Sequence, residues 1–400
     1  MLHHQSFEPS YDVVVVGARC AGAATAMLLA RAGVRVLAID RQSYGSDTLS
    51  THALMRPAVM QLARWGLLDT VLGSGAPLIE TTSFHYGDDV VEVAIRPEPG
   101  LPGLVAPRRS VLDRVLVDAA RDAGASIIHD TAVQDLVTDA TGRVSGVVVR
   151  GPAGAPMAIP TDMVIGADGH GSMVARRAGA ETLVRGRASV AHVFAYAQSP
   201  AATGYHWYFS ERASGGTIPT NDGLTCIVAS IPTERYDAEI RFSLAAGRQS
   251  VLHELDPELA VHAAQFDQTP LRAFRGTNGF MRQAQGRGWM LVGDAGFFRD
   301  PLTSHGISDA LRDAEGAARA ILAGTECDLR RFQDERDALA LPILEATDAI
   351  AAFDWTLGEL PERHKRFSET MKAETARIAR WSSTSAADIR QAAVPDLSAA

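Results

Sequence analysis

Lysine is almost missing from this chain, occurring only at Lys365 and Lys372, so a chemistry that needs an active-site lysine has none to use ahead of Lys365. Cysteine is scarce as well. Cys20, Cys226 and Cys327 stand far apart with no CxxC spacing, which argues against a disulfide framework or a zinc site and fits a reducing cytoplasm. The histidines are scattered without a ligand cluster, so no metal is expected. No dense run of arginines exists, and a net charge of −9 disfavours a nucleic-acid surface, which needs clustered positive potential. The apolar stretch Val13–Ala30 follows Asp12, carries Arg19 and is broken by glycines. It reads as a buried strand and a helix, not as a signal peptide or a membrane span. No GxSxG elbow marks a serine nucleophile. What remains is a 400-residue chain, 46% hydrophobic and 21% charged, with room for two packed units and a small-molecule partner. Nothing in the composition sets an oligomeric state.

The most informative stretch is Tyr11–Arg41. Four valines follow Asp12, then come a small-residue turn, an alanine-rich segment, Gly33, a second apolar run and Asp40. This is the order strand, phosphate-binding turn, helix, strand, ribose acid. The turn Gly17-Ala18-Arg19-Cys20-Ala21-Gly22 agrees with GxGxxG at its first and third glycines and departs at the second, where Arg19 stands. Gly17 permits the tight turn and Gly22 lets helix and strand pack closely, while the free N–H groups of the helix start, around Ala21, suit a pyrophosphate. The Arg19 guanidinium offers a further contact to phosphate oxygens. Asp40 ends the strand Val34–Ile39, where a carboxylate can accept the ribose hydroxyls. The polar loop Arg41–His52 is too long for a simple connection, which makes Arg41, Thr51 and His52 candidate site residues.

Further along, the pattern predicts an amphipathic helix over Ala53–Leu68, strands in Pro77–Val105 and a helix over Pro107–Ala123. Strands follow at Ser126–His129, Ala132–Val137, Val144–Val149 and Asp162–Ile165. From about Ser189 to Ala284 short alternating strands dominate. Trp289–Val292 is again a buried strand, Gly306–Leu322 a long helix, and the tail from Leu329 to Trp381 helical with breaks at Pro342 and Pro361. The expected division is an α/β nucleotide-binding unit from segments 10–76, 104–188 and 285–325, with a sheet-rich substrate unit from 77–103 and 189–284. Helices over 326–381 and a flexible tail over 382–400 complete it.

With these pieces placed, the chain resembles the FAD-dependent oxidoreductases of the aromatic-hydroxylase type, which include geranylgeranyl reductases and flavin-dependent halogenases. The resemblance spans about residues 10–325 and rests on ordered motifs: the βαβ unit ending in Asp40, then Arg109 at a helix start, Gly166-Ala167-Asp168-Gly169, and Gly293-Asp294-Ala295 followed by Asp300-Pro301 and Gly306. It implies a Rossmann-like FAD-binding domain with an inserted antiparallel substrate sheet. It also implies that Arg109 contacts the flavin, that Asp168 bridges the cofactor and the nicotinamide side, and that Asp294 binds the ribityl chain. Independently of the resemblance, a helix starting at Gly306 points its positive end at whatever precedes it; with the flavin there, as the resemblance implies, Pro301, Gly306 and Ile307 would shape its edge.

The resemblance further implies that NADH or NADPH reduces the flavin, or a separate flavin reductase does. Molecular oxygen then forms a C4a-hydroperoxide that oxygenates a small aromatic or polyketide-like substrate. A halogenase is the weaker reading. Phe298–Gly306 fits that group's FxxPxxSxG pattern, but its WxWxIP signature and active-site lysine are missing. Tyr205-His206-Trp207-Tyr208-Phe209 resembles the YxWxF part of the prenyl reductases' motif, so a reductase or dehydrogenase of a hydrophobic substrate is the alternative. Trp207, Phe209 and Ile218 are the candidate pocket walls, and His52 and His305 the candidate proton-handling residues.

Overall fold

Strand Tyr11–Val16 is apolar on both faces and can be stable only between two neighbours and beneath helices. In the computed structural model it lies near the centre of such a sheet. The structure describes residues 11–98, 100–151, 154–198 and 204–381, so the arm Met1–Ser10 and the tail 382–400 fall outside the described residues. The parallel core of the sheet runs Trp289–Leu291, Pro156–Gly166, Tyr11–Val16, Val36–Ile39 and Ser126–Ile128. Val133–Thr138 and Val144–Arg150 add an antiparallel flank through the long strand Pro156–Gly166, which begins before the expected Asp162. Helices Cys20–Arg31, Arg109–Asp122 and Gly306–Ala323 cover one face.

The second sheet has seven strands in the order Arg272–Phe274, Val190–Gln198, Leu224–Pro232, Ser214–Pro219, Tyr205–Phe209, Thr81–Tyr86 and Asp89–Ala94. It is not wholly antiparallel, because Tyr205–Phe209 runs parallel to Thr81–Tyr86. That pairing follows from the distance in sequence between the two segments, which no tight hairpin joins. Alternation sorts the strands' side chains. Phe194, Tyr196, Tyr205, Ile218, Cys226 and Val228 join the core of the nucleotide-binding half, while Val193, Ile227, Ala229 and Ile231 pack under the helices Leu244–Leu255 and Pro257–Phe266.

Two helices depart from expectation. The segment Ala53–Leu68 forms a helix only over Arg56–Arg64, with a second, Leu68–Gly73, after the positive φ of Gly66. Helix Glu326–Ala351 continues through Pro342 instead of breaking there. Burial of Ala340, Ile343 and Leu344 around it compensates a missing hydrogen bond and a steric clash that cost about 3 kcal/mol in an exposed helix. Pro361 falls in the first turn of Leu360–Trp381, where proline is tolerated.

Candidate flavin site

The parallel strands align so that their C-terminal ends form one edge. Val16 pairs with Gly166 and with Ile39, and Gly166 pairs with Leu291. Gly17, Asp40, Asp168 and Gly293-Asp294, distant in sequence, therefore stand side by side. Ligands of open α/β sheets bind at this edge. The contacts are close enough to dictate residue size: a Cβ on Gly17 would lie 2.4 Å from the Ala167 oxygen, and one on Gly22 would lie 1.9 Å from the Gly17 oxygen. Gly293, at φ +57°, sits against Ala21 and Ala310, so two helix starts converge on the Gly293-Asp294 turn.

Both starts are open. Helix Cys20–Arg31 has no side-chain cap and no acid in its first turn. Helix Gly306–Ala323 has no side-chain cap either, and its first-turn acid, Asp309, is engaged by Arg299 and Arg312 at 2.8 Å each. Uncapped N–H groups and the positive end of each helix favour an anion or a developing negative charge. Asp40 holds the turn in shape, accepting hydrogen bonds from the Ala18 and Gln42 N–H groups at 2.7 Å each.

Arg19 and Arg109 meet at a residue the sequence reading did not single out. Asp113, buried in the middle of the cleft wall, accepts from Arg19 at 2.9 Å, from the two arms of Arg109 at 3.1 and 3.2 Å, and from the Cys20 thiol at 3.1 Å. Its spacing of four residues from Arg109 on one helix was the available signal. Arg19 also reaches the Ser46 carbonyl and hydroxyl at 3.2 and 3.1 Å, tying the long loop to the helix start. Asp294 is different. Its carboxyl has no hydrogen-bond or ion-pair partner among the described residues, and burial together with the Asp309 charge pushes it up to about 6 despite Arg109 and Arg299 nearby. A half-buried acceptor without a partner fits a hydroxyl-bearing chain.

The remaining predicted residues divide. Asp168 braces the start of the short helix Met173–Arg177, which Ser172 caps, accepting from the Ser172 hydroxyl at 2.5 Å and the Met173 N–H at 2.6 Å. Arg41 is exposed, Thr51 and Pro301 are half-buried, and Ile307 is packed in the core. His305 precedes Gly306 but its ring turns away into the interior, bonding Glu374 at 2.5 Å with both groups fully buried. It anchors the C-terminal helix. His305, Asp309 and Glu374 could together hold a cation, but the Arg312 guanidinium bridges Asp309 and Glu374 at 2.8 and 2.6 Å and supplies that charge.

His52 lies in the left-handed region at φ +69°, a strained position for a non-glycine residue. Its Nε2 makes a short hydrogen bond with the Tyr196 hydroxyl, and its Nδ1 is buried without a partner among the described residues. Burial lowers the imidazole to about 3, so it is neutral, and burial raises the Tyr196 phenol. The Arg108 guanidinium covers the Tyr196 ring at 3.9 Å, and Asp47 pairs with both Arg108 and Arg272 at 3.1 Å. Nearby, Asp300 accepts from the Val190 N–H at 2.7 Å and faces His192 at 3.4 Å, joining the Pro301 turn to the second sheet. Of the wall candidates, Trp207 is half-buried and donates to Thr82 at 3.1 Å, whereas Phe209 packs among Ile343, Trp355 and Phe367, and Ile218 is fully enclosed.

A family model described as an FAD binding domain matches residues 10–336. The chain belongs to the FAD-binding-domain family. It is an FAD-dependent oxidoreductase. The chain is 30% identical to digeranylgeranylglycerophospholipid reductase 2 of Methanothermobacter thermautotrophicus over 78% of its length and 79% of the relative's. It is 28% identical to menaquinone reductase of Mycolicibacterium smegmatis, over 78% and 76%. Among solved structures the fold is shared with PqsL of P. aeruginosa in complex with 2-aminobenzoylacetate, at TM-score 0.74 and 20% identity over 91% of this chain and 100% of that one. It is shared too with the flavin-dependent brominase Bmp2, at 0.74 and 19%, over 90% and 92%.

The residues present fit FAD. The open helix start at Cys20, the glycines whose Cβ atoms would collide, and the unpartnered Asp294 are the features such a cofactor would use. Arg19→Ala is expected to weaken FAD retention about tenfold, the size of one charge-assisted contact, as read by FAD release on dilution. Retention equal to the parent would leave Arg19 as a tether of the Ser46 loop alone.

Proposed function

We propose that this flavoprotein is a monooxygenase, reduced by NADH or NADPH, that oxygenates a small aromatic or polyketide-like substrate carrying an ionisable group. The observation that carries the reading is the buried Tyr196–His52 pair, with Arg108, Arg272 and Asp47 around it, on the face of the second sheet that turns toward the nucleotide-binding half. A pocket for a pure hydrocarbon would not keep these polar groups. When bound, FAD supplies the redox chemistry, and the chain's own residues bind, orient and handle protons. A Tyr196 hydroxyl that donates to His52 Nε2 leaves the ring proton on Nδ1, as an unpaired donor for a substrate oxygen. In this tautomer the imidazole can hand its Nδ1 proton to the substrate while taking the Tyr196 proton at Nε2, and the Arg108 guanidinium over the ring offsets the phenolate charge that results. Trp207 and the Pro301 turn would enclose the reacting atoms and exclude water.

A second reading, a reductase of a prenyl or quinone-like substrate, is favoured by the names of the relatives at 28–30% identity. Reducing the enzyme anaerobically with NADPH and substrate, then admitting heavy-isotope oxygen, separates the two. Label in the product supports oxygenation, and product formed before oxygen enters supports the reductase. Tyr196→Phe is expected to lower kcat about a hundredfold, as for loss of a proton-transfer group, with KM changed little. An unchanged kcat would reduce the pair to packing.

A further inference from the structure

A cavity of about 620 Å³ opens between helices Gly306–Ala323, Glu326–Ala351 and Leu360–Trp381, away from the strand-end cleft. None of the sequence motifs accounts for it. In a chain of net charge −9, its wall carries six arginines against three carboxylates. Much of that charge is balanced: Arg312 holds Asp313 at 2.9 Å and also Asp309 and Glu374, Arg331 holds Asp328 at 3.1 Å, and Arg377 pairs with Glu335. Arg336, though paired with Asp337, keeps an unused donor. It is 3% exposed, bonds Asp337 at 2.7 Å and the Arg282 carbonyl at 2.5 Å, and leaves a buried Nη1 with no hydrogen-bond partner among the described residues. Burial lowers the affinity of both Arg336 and Arg319 for their protons, against the opposing pull of Asp313 and Asp337 on the first and of Glu315 and Glu335 on the second.

The wall also has two aromatic rings. A Cβ on Gly316 would lie 3.1 Å from the Phe332 ring and 3.6 Å from that of Trp381, so the bare glycine lets both rings border one hollow. The Arg319 guanidinium stands 5.9 Å from the Trp381 ring centre and bonds its carbonyl at 3.3 Å. Positive charge beside flat apolar surface suits a planar ring bearing an anionic group.

We propose that this cavity binds a phosphate-bearing aromatic ligand of mononucleotide size, at a site separate from the dinucleotide cleft. Asp313 links the two sites. It lines the cavity and accepts from the Gly293 N–H at 3.1 Å, beside Asp294, so occupancy changes the surroundings of the flavin. The test uses FAD-loaded enzyme, titrated calorimetrically and by flavin fluorescence with adenosine monophosphate, inorganic pyrophosphate and adenosine. Adenosine monophosphate binds and shifts the fluorescence, pyrophosphate binds more weakly, and adenosine does not bind. Arg319→Ala and Trp381→Ala each weaken the nucleotide about tenfold with FAD content unchanged. The proposal is overturned if the nucleotide does not bind, if it binds equally to both variants, or if it binds only after residues 382–400 are removed, which would give the cavity to the chain's own tail.

Discussion

Arg312→Leu is expected to destabilise the protein by about 3–5 kcal/mol, the largest single loss anticipated, because it leaves buried carboxylates without their cation. The Arg312 side chain is 2% exposed and holds Asp309, Asp313 and Glu374. Those residues lie on two helices, Gly306–Ala323 and Leu360–Trp381, so the same loss should loosen the docking of the C-terminal helix. Urea unfolding measures the first effect and limited proteolysis near Glu374 the second. Adding Glu374→Leu to Arg312→Leu should cost less than the two single changes together, since it removes one of the stranded charges. Equal sensitivity of single and double variants, or a loss below about 1 kcal/mol, would mean that water reaches the cluster and screens it.

The second large effect separates stability from cofactor binding at Asp294. Its carboxyl is raised from 3.8 to about 6, by burial first and by the Asp309 charge next. A carboxyl with a raised folded-state value favours folding when protonated. The contribution is fully present below the unfolded value near 4, and it is lost as the pH rises through about 6. A shift of about two units corresponds to roughly 3 kcal/mol at neutral pH. Asp294→Asn removes that penalty, so FAD-free variant should be the more stable protein at neutral pH, by up to this amount, with the difference vanishing by about pH 4. FAD retention should fall about tenfold or more, because an amide replaces the stronger charged acceptor. Thermal melting of both FAD-free proteins across this pH range, alongside FAD release, is the measurement. A variant no more stable than the parent at neutral pH would show that Asp294 is not penalised in the fold.

Much of the nucleotide-binding half was legible because its signals are local. A strand that must be buried, a turn that needs Gly17 and an acid just past the next strand are consecutive in the chain, and their backbone geometry allows few alternatives. The ordered motifs at Asp168 and Gly293-Asp294 could be read for the same reason, since each follows its own strand directly. The side-chain partners were not legible. Tyr196 meets His52 across 144 residues and Arg19 meets Asp113 across 94, separations at which no periodicity carries information. Pro342 misled for a related reason: local propensity predicts a break, and tertiary packing of its neighbours overrides it. His305 stands beside Gly306 in sequence, yet the direction of its ring depends on Glu374, on a helix that docks from far along the chain.

By itself, then, the sequence determined the βαβ unit Tyr11–Asp40, the glycines where backbones touch, and the alternation that marks the second sheet. Each follows from steric rules acting within a few residues. Only the tertiary structure decided which charges are neutralised, as Arg109 is by Asp113, and which polar atoms lack a partner among the described residues, as the Asp294 carboxyl and the Arg336 Nη1 do. That balance depends on which distant groups share a low-dielectric interior, and only the closed fold brings them together.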